Sequence, residues 1–188
     1  MTVADLGAPA GTLPQALTVR PVTDEARFEA AVAPLIPELV RYFARRVQPT
    51  EDAADCAAET ALVMWRQRRR LPAETGEQRM WAFGIARNIL ANHTRKRVRR
   101  SLIDDALRAT IQVQEEEISD AAFAAAEALK VLPAPDQELI RLIVWDELTI
   151  AEAGTVMGLR AATARKRYER ARARLRDTYR TIWPTGER

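Results

Sequence analysis

Arginine dominates one segment near the C-terminal end of the chain, residues 148 to 176, LTIAEAGTVMGLRAATARKRYERARARLR. Residues 160 to 180 include nine basic and two acidic side chains, a large local excess of positive charge. Guanidinium and ammonium groups at this density bind phosphate, so a nucleic-acid backbone is the expected ligand. Charge alone leaves an alternative open, namely a solvated basic helix or one packed on an acidic partner.

The residues in front of these arginines predict how they are positioned. Thr149 and Glu152 have the spacing of a capping box, which starts a helix by satisfying its free N–H groups. Gly158 can end that helix in the left-handed conformation, and Leu159 can pack back on the previous turn. A short helix, a glycine turn and a long basic helix from Ala161 together predict a DNA-reading helix-turn-helix.

A second basic surface is predicted in residues 81 to 100, WAFGIARNILANHTRKRVRR. Trp81, Ile85 and Ile89 recur every four residues and should face inward. One polar line of the same helix consists of Asn88, Asn92, Arg95 and Arg99, with Lys96 beside it. Amides pair with base edges and arginines with phosphates or guanine, so this line suits a nucleic acid with accessible bases. Trp81 either covers an unstacked base or belongs to the core.

Composition and spacing argue against several other classes of protein. No segment is apolar enough to span a membrane, and no basic residue before Arg20 supplies the charged start of a secretory signal, so a cytoplasmic protein is expected. Cys56 is the single cysteine, which rules out an intrachain disulfide and a zinc knuckle. His93 has no Asp, Ser or Cys at catalytic spacing, and no phosphate loop or carboxylate cluster occurs. We therefore expect no enzyme, no cofactor and no metal site.

Helical periodicity without strand alternation predicts an all-α fold with two small helical domains joined by an acidic flexible linker. Residues 1 to 27, with three prolines, are expected to be disordered, followed by a bundle at 28 to 100. The linker is placed at 101 to 126 and the helix-turn-helix domain at 127 to 183. Within the first bundle we expect a helix from Val32 to Gln48, in which Pro37 either introduces a kink or moves the true start later, and a second helix capped by Thr50.

Extended at about 3.3 Å per residue, the linker could reach about 85 Å. Two turns of duplex measure only about 70 Å. Both basic surfaces could therefore bind one DNA about two turns apart.

Two blocks of the sequence, taken in order, resemble a known family. EDAADCAAETALVMWR with WAFGIARNILANHTRKRVRR, and then LPAPDQELIRLIVWDELTIAEAGTVMGLRAATARKRYERARARLR, resemble the second and fourth conserved regions of group IV, or extracytoplasmic function, sigma factors of the sigma-70 family. The resemblance covers roughly residues 28 to 180. It implies a sigma region 2 domain and a sigma region 4 helix-turn-helix in an initiation subunit that binds core RNA polymerase and promoter DNA.

The same resemblance implies a role for each surface. Asp55, Glu59 and Leu62 would dock on the clamp helices of the β′ subunit. The −10 element would be held by Trp81, Asn88, Asn92, Arg95, Lys96 and Arg99, together with the loop from residue 71 to 79. The −35 element would be read by Arg160, Thr163, Arg165, Lys166, Arg167 and Arg170. An anti-sigma factor, which this family commonly has, is a further expected partner.

Some positions depart from the family pattern. Ala58 stands where a glutamine is usual, which removes one expected hydrogen bond to the polymerase. Ala153 and Gly154 replace the customary Ile-Ala pair, and Ala164 replaces a larger aliphatic residue. Because Gly inside a helix costs about 1 kcal/mol relative to Ala, we expect an under-filled and marginally stable C-terminal domain.

The alternative function is a stand-alone helix-turn-helix regulator whose N-terminal bundle senses a ligand or dimerises. It requires an apolar pocket or a self-complementary face in that bundle. The basic helix of residues 88 to 100 suggests neither.

Overall fold

The computed structural model describes residues 23–104 and 120–184, and all regular structure in these two ranges is helical. Helix α1 spans Asp24–Val32 and begins at Thr23, whose side-chain oxygen accepts a hydrogen bond from the N–H of Ala26 at 3.2 Å. The prediction that residues 1 to 27 are disordered is therefore wrong for the last four, because Thr23 caps a helix there. Residues 1 to 22 lie outside the described part of the chain.

The helix expected from Val32 is divided by its prolines. A 3₁₀ helix covers Ala33–Leu35, and α2 covers Ile36–Ala44 with Pro37 in its first turn. Proline is tolerated there because the first N–H groups of a helix have no intrahelical partner. The chain therefore starts a new helix at Ile36 instead of kinking a longer one.

Two longer helices complete the N-terminal module, by which we mean α1 to α4. Helix α3 spans Asp52–Arg66, a 3₁₀ helix follows at Arg68–Arg70, and α4 spans Thr75–Asp104. The prediction of Thr50 as the cap of α3 is wrong, because the N-cap is Glu51 and makes no side-chain capping bond. The core of this module contains fully buried large side chains, namely Leu39, Tyr42, Phe43, Met64 and Phe83.

The C-terminal module consists of α5 to α8. Helix α5 covers Asp120–Lys130, α6 covers Ala134–Val144, α7 covers Ile150–Val156 and α8 covers Ala161–Ile182. Both ends of the expected linker are helical, since α4 continues to Asp104 and α5 begins at Asp120. Its acidic middle, residues 105 to 119, lies outside the described ranges.

The two modules share a hydrophobic core. One cluster of buried residues contains the N-terminal core together with Leu139, Leu142, Leu148, Ala153 and Val156 of the C-terminal module. Helix α4 contacts α7, and α7 in turn packs on α8. A separate small cluster of Leu129, Leu132, Ile140 and Ala171 joins α5, α6 and α8.

Candidate nucleic-acid interface

The short helix α7 and the turn after it place the N-terminal end of α8. Thr149 accepts a hydrogen bond from the Glu152 N–H at 3.3 Å, and the Glu152 carboxylate accepts one from the Thr149 N–H at 2.7 Å. The predicted capping box is therefore confirmed. The hydrogen bond from the Thr149 hydroxyl and that from its backbone N–H lower the pKa of the Glu152 carboxyl.

The turn between α7 and α8 is fixed by Gly158, whose φ of 69° is in the left-handed region, as predicted. The N–H of Leu159 donates to the carbonyl of Gly154 at 2.8 Å, and that of Gly158 donates to Thr155 at 3.0 Å. These are the two hydrogen bonds of a Schellman motif. The turn therefore ends α7 with its carbonyls satisfied and starts α8 two residues later.

The α7–α8 contact is tight, in contrast to the under-filled core expected from the sequence. Ala153 and Ala164 are completely buried. A Cβ atom added at Gly154 would lie 2.8 Å from the Cβ of Ala164, closer than side chains approach each other. The small residues therefore allow α7 and α8 to approach closely, and the expectation of an under-filled core is wrong at this contact.

Helix α8 presents most of its basic residues to solvent. Five of the six residues assigned to the −35 element are exposed, namely Arg160, Thr163, Arg165, Lys166 and Arg170. Arg167 differs, because its Nε lies 3.5 Å from Oδ1 of Asp136 on α6 and its side chain is only 33% exposed. The surface is therefore strongly basic but has one of its arginines engaged within the protein.

The polar line on α4 is exposed along its whole length. Asn88, Asn92, Arg95, Lys96 and Arg99 are all solvent-accessible. Arg95 donates a hydrogen bond to the amide oxygen of Asn92, so these two neighbours form a pair. Trp81 is half-buried and packs against the core cluster, which leaves part of its ring at the surface.

The set assigned to the polymerase lies together on α3. Asp55, Glu59 and Leu62 are all exposed, and Leu62 is 47% exposed despite its apolar side chain. Their spacing of four and three residues places them on one helix face. Trp65 continues this face as a further exposed large apolar side chain.

Two polar arrangements were not anticipated from the sequence. His93 Nε2 lies 3.1 Å from Oδ2 of Asp52 on α3, so the histidine has a carboxylate partner 41 positions away. Arg46 is buried between Glu138 and Asp146 of the other module. Local spacing carries no signal for either, because the partners come from distant parts of the sequence.

Comparison with known families identifies both modules. Residues 32–100 match the model of sigma-70 region 2, and residues 122–175 match that of sigma-70 region 4. The chain belongs to the sigma-70 family. Its region 4 is of the extracytoplasmic function type, and together with region 2 this places the chain in the extracytoplasmic function group. This sigma factor acts in transcription initiation, with core RNA polymerase and promoter DNA as its partners. The region 2 match over the N-terminal module excludes the stand-alone regulator considered above.

Solved structures support the fold of this sigma factor. It is similar to the sigma factor RpoE from Bartonella quintana in complex with the anti-sigma factor NepR, with 22% identity and a TM-score of 0.62; the match covers 86% of this chain and 99% of that one. It is also similar to CnrH in complex with the cytosolic domain of CnrY, with 22% identity, a TM-score of 0.55, and coverage of 81% and 87%. No curated protein matches the chain in sequence.

Two kinds of feature are absent from the described residues. No helix there combines the length and apolar character needed to cross a bilayer. No group of three or more His, Cys, Asp or Glu side chains there is arranged to hold a metal ion.

Proposed function

We propose that the sigma factor contacts its partners through three separate surfaces: the −10 element through α4, the −35 element through the N-terminal half of α8, and the clamp helices of the β′ subunit through α3. The observation that carries this proposal is that most residues of each assigned set are exposed, each set on a different helix. The α4 set combines amide and basic groups, the α8 set is basic, and the α3 set is acidic and apolar. In this proposal the sigma factor acts by binding its partners and catalyses no reaction of its own. Its place of action is the cytoplasm.

The assignment of α8 is tested by the salt dependence of promoter binding. Replacing Arg165 and Lys166 with Gln should lower the slope of log affinity against log salt by up to about two units, because two phosphate contacts are lost. The matched control replaces Arg176 and Arg180, which are exposed at the far end of the same helix. Equal effects from both pairs would show that the N-terminal half has no special role.

The assignment of α4 is tested by base preference. Asn88→Ala should change the preferred −10 sequence while leaving the salt slope unchanged, because an amide reads base edges and does not neutralise phosphate. Arg99→Gln should do the opposite and lower the slope by about one unit. A uniform loss of affinity across sequences for Asn88→Ala would contradict base reading.

The assignment of α3 is tested without DNA. Glu59→Arg should weaken binding to core polymerase, whereas Glu74→Arg, an equal charge change at an exposed loop position, should not. Run-off transcription with purified core then tests the function itself. Failure of the wild-type chain to initiate from any cognate promoter would contradict the whole proposal.

We also propose an anti-sigma factor as a regulatory partner, because the similar structure of RpoE is a complex with the anti-sigma factor NepR. Such a partner should displace the chain from core polymerase in a competition assay. Binding that leaves the polymerase complex intact would contradict this role.

A further inference from the structure

The polar line on α4 continues beyond the part of the helix that the core supports. Among the described side chains of α4, Ile89 is the last that is buried. Residues 91 to 99, here called the distal segment, are exposed except for His93, which is partly buried. Asn92, Arg95 and Arg99 of the polar line lie on this distal segment. Burial in the apolar core therefore does not fix the direction in which these three side chains point.

Two hydrogen bonds connect the distal segment to the chain around the start of α3. His93 Nε2 lies 3.1 Å from Oδ2 of Asp52, the first residue of α3. Because a carboxylate accepts hydrogen bonds, the imidazole N–H is the donor. Arg97 donates from Nη1 to the backbone carbonyl of Gln48, between α2 and α3, at 2.6 Å. His93 and Arg97 are one helical turn apart, so both bonds hold the same face of the distal segment.

The face that is held in this way points away from the polar line. At about 3.6 residues per turn, His93 and Arg97 lie roughly 150° around the helix axis from the mean direction of Asn92, Arg95 and Arg99. Bonds on the rear of the helix therefore set the direction of its front. Neither His93 nor Arg97 has to touch DNA to have this effect.

A pocket lies behind the distal segment. It has a volume of about 300 Å³ and is lined by residues of α4 and of the chain after α2, among them Val47, Gln48 and Thr94. Close-packed protein interiors leave few spaces of this size. Loss of the two hydrogen bonds would therefore leave room for the distal segment to tilt, since side chains do not fill the space behind it.

We propose that Asp52 is a positioning residue for recognition of the −10 element. Through its bond to His93, and with the Arg97–Gln48 bond beside it, Asp52 holds the distal segment so that the polar line faces the DNA. Asp52 comes one turn before Asp55 on α3, so the same bond links the polymerase-binding helix to the DNA-reading helix. The effect of this orientation on DNA binding rests on the proposed function.

The orientation is tested in the full chain without DNA or polymerase, by pulsed electron paramagnetic resonance. Nitroxide labels are placed on Ala58→Cys of α3 and Lys96→Cys of the distal segment, both at exposed positions, in a Cys56→Ala background. The chain with Asp52 intact should give a narrow distribution of distances between the labels. Asp52→Ala should broaden the distribution, because the distal segment then samples several directions.

Matched variants separate positioning from a general loss of structure. Glu51→Ala removes the neighbouring exposed carboxylate, which makes no side-chain capping bond, and should leave the distribution narrow. His93→Ala should broaden it as Asp52→Ala does. His93→Gln should keep it narrow, because the amide N–H can still donate to Asp52. Far-UV circular dichroism and urea denaturation should differ little among these variants, since partly exposed pairs contribute little to stability.

If Asp52→Ala loses helix content, the comparison of His93→Ala with His93→Gln decides the matter. Two outcomes would overturn the orientation: an unchanged distribution in both His93→Ala and Asp52→Ala, or equal broadening by Glu51→Ala.

The consequence for DNA is measured as affinity for a promoter fragment that has only the −10 element, with core polymerase present. Asp52→Ala and His93→Ala should each lower the affinity roughly threefold to tenfold, because binding must then order the distal segment. His93→Gln and Glu51→Ala should bind as the wild type does. Affinity for core polymerase without DNA should be the same for all of them. A loss of core binding by Asp52→Ala would instead assign Asp52 to the polymerase surface and overturn the proposal.

Arg97 and Arg99 provide an internal comparison, because both are exposed arginines of the distal segment. Arg97→Gln should weaken binding without changing the salt slope, whereas Arg99→Gln should lower the slope by about one unit. Equal losses of slope would show that Arg97 binds phosphate and would contradict its place on the rear face.

Failure of this proposal can be told apart from failure of the proposed function. If Asn88→Ala and Arg99→Gln change DNA binding but Asp52→Ala and His93→Ala do not, positioning by Asp52 is overturned. If none of these four variants changes DNA binding, α4 does not read the −10 element. The proposed function then fails, while a broadened distance distribution would still show that Asp52 orients the helix.

Discussion

The two modules of this sigma factor are packed by different means. In the N-terminal module, large side chains such as Tyr42, Phe43 and Phe83 are fully buried between the helices. On α8, by contrast, the buried residues are the small Ala164 and Ala171, and Ala164 packs against Gly154 of α7.

The size of the buried side chains sets how closely the helices of each module approach. Large side chains fill the space between helices about 8–10 Å apart and give a core of high apolar content. Glycine and alanine let α7 and α8 approach closely, while most arginine side chains of α8 stay exposed on its outer face. We therefore expect opposite responses to substitution. A smaller side chain should destabilise the N-terminal module, whereas a larger side chain should destabilise the α7–α8 contact.

The largest effect is expected for Phe43→Ala. Phe43 is completely buried and stacks edge-on against Tyr42 with ring centroids 5.2 Å apart. Truncation should lower the free energy of unfolding by about 3–5 kcal/mol, because it removes apolar contacts and leaves a cavity. Urea denaturation measures this loss. The control is Val40→Ala on the same helix, at a position 37% exposed, where the loss should be well under half as large.

The opposite sensitivity is tested by Gly154→Ala. The added methyl group would meet Ala164 at 2.8 Å, and overpacking of this kind costs about 1–3 kcal/mol. The gain in helix propensity, about 1 kcal/mol, is subtracted from that cost and leaves a net loss of up to about 2 kcal/mol. Urea denaturation should therefore show a net loss of stability in the C-terminal module.

Gly84→Ala provides the matched control, because Gly84 lies inside α4 and nothing lies within 4 Å of its added Cβ. It should stabilise the protein by about 0.5–1 kcal/mol through propensity alone. If Gly154→Ala stabilises the protein as much as Gly84→Ala, the close approach of α7 and α8 is contradicted.

The features predicted correctly from the sequence are local ones. The capping box at Thr149 and Glu152 and the left-handed Gly158 depend on residues within a few positions of each other, and both are present. Helical spacing likewise anticipated the exposed line from Asn88 to Arg99. The sequence predicts which residues share a helix face, because the faces of a helix repeat every three or four residues.

The features that were missed depend on distant partners. The Arg46 network joins residues 92 and 100 positions apart, which no local pattern reports. Gly154 was interpreted as a weakness because its propensity is local, whereas its close neighbour Ala164 belongs to the next helix. The contact with Ala164 therefore predicts that Gly154→Ala destabilises the protein, the opposite of what propensity alone predicts.

A smaller effect on the C-terminal module is expected for Thr149→Ala. Loss of the N-cap should lower the free energy of unfolding by about 1 kcal/mol at neutral pH. The Glu152 carboxyl, whose pKa is lowered by its hydrogen bonds to Thr149, stabilises the fold above its unfolded pKa and loses that contribution as pH falls through the lower folded value.

The difference between wild type and Thr149→Ala should therefore shrink between neutral pH and about pH 3. Urea titrations at several pH values measure it. Thr155→Ala on the same helix removes a hydroxyl that donates only to the carbonyl of Ala151, so its effect should not vary with pH. A pH-independent difference for Thr149→Ala would contradict the hydrogen bond from the Thr149 hydroxyl to the Glu152 carboxylate.

The smallest stability change, and the finest test of the basic helix, is expected for Asp136→Asn. Asp136 lies 3.5 Å from Arg167 and 3.8 Å from Arg174, and partly exposed pairs of this kind contribute less than about 1 kcal/mol. While Arg167 stays paired with Asp136, Arg167→Gln should not change the salt slope of promoter binding. In the Asp136→Asn background the freed guanidinium can reach phosphate, and the same substitution should then lower the slope by about one unit. If Arg167→Gln alone lowered the salt slope by a full unit, Arg167 would leave Asp136 and bind DNA phosphate. The DNA-binding surface would then include the side of α8 that faces α6.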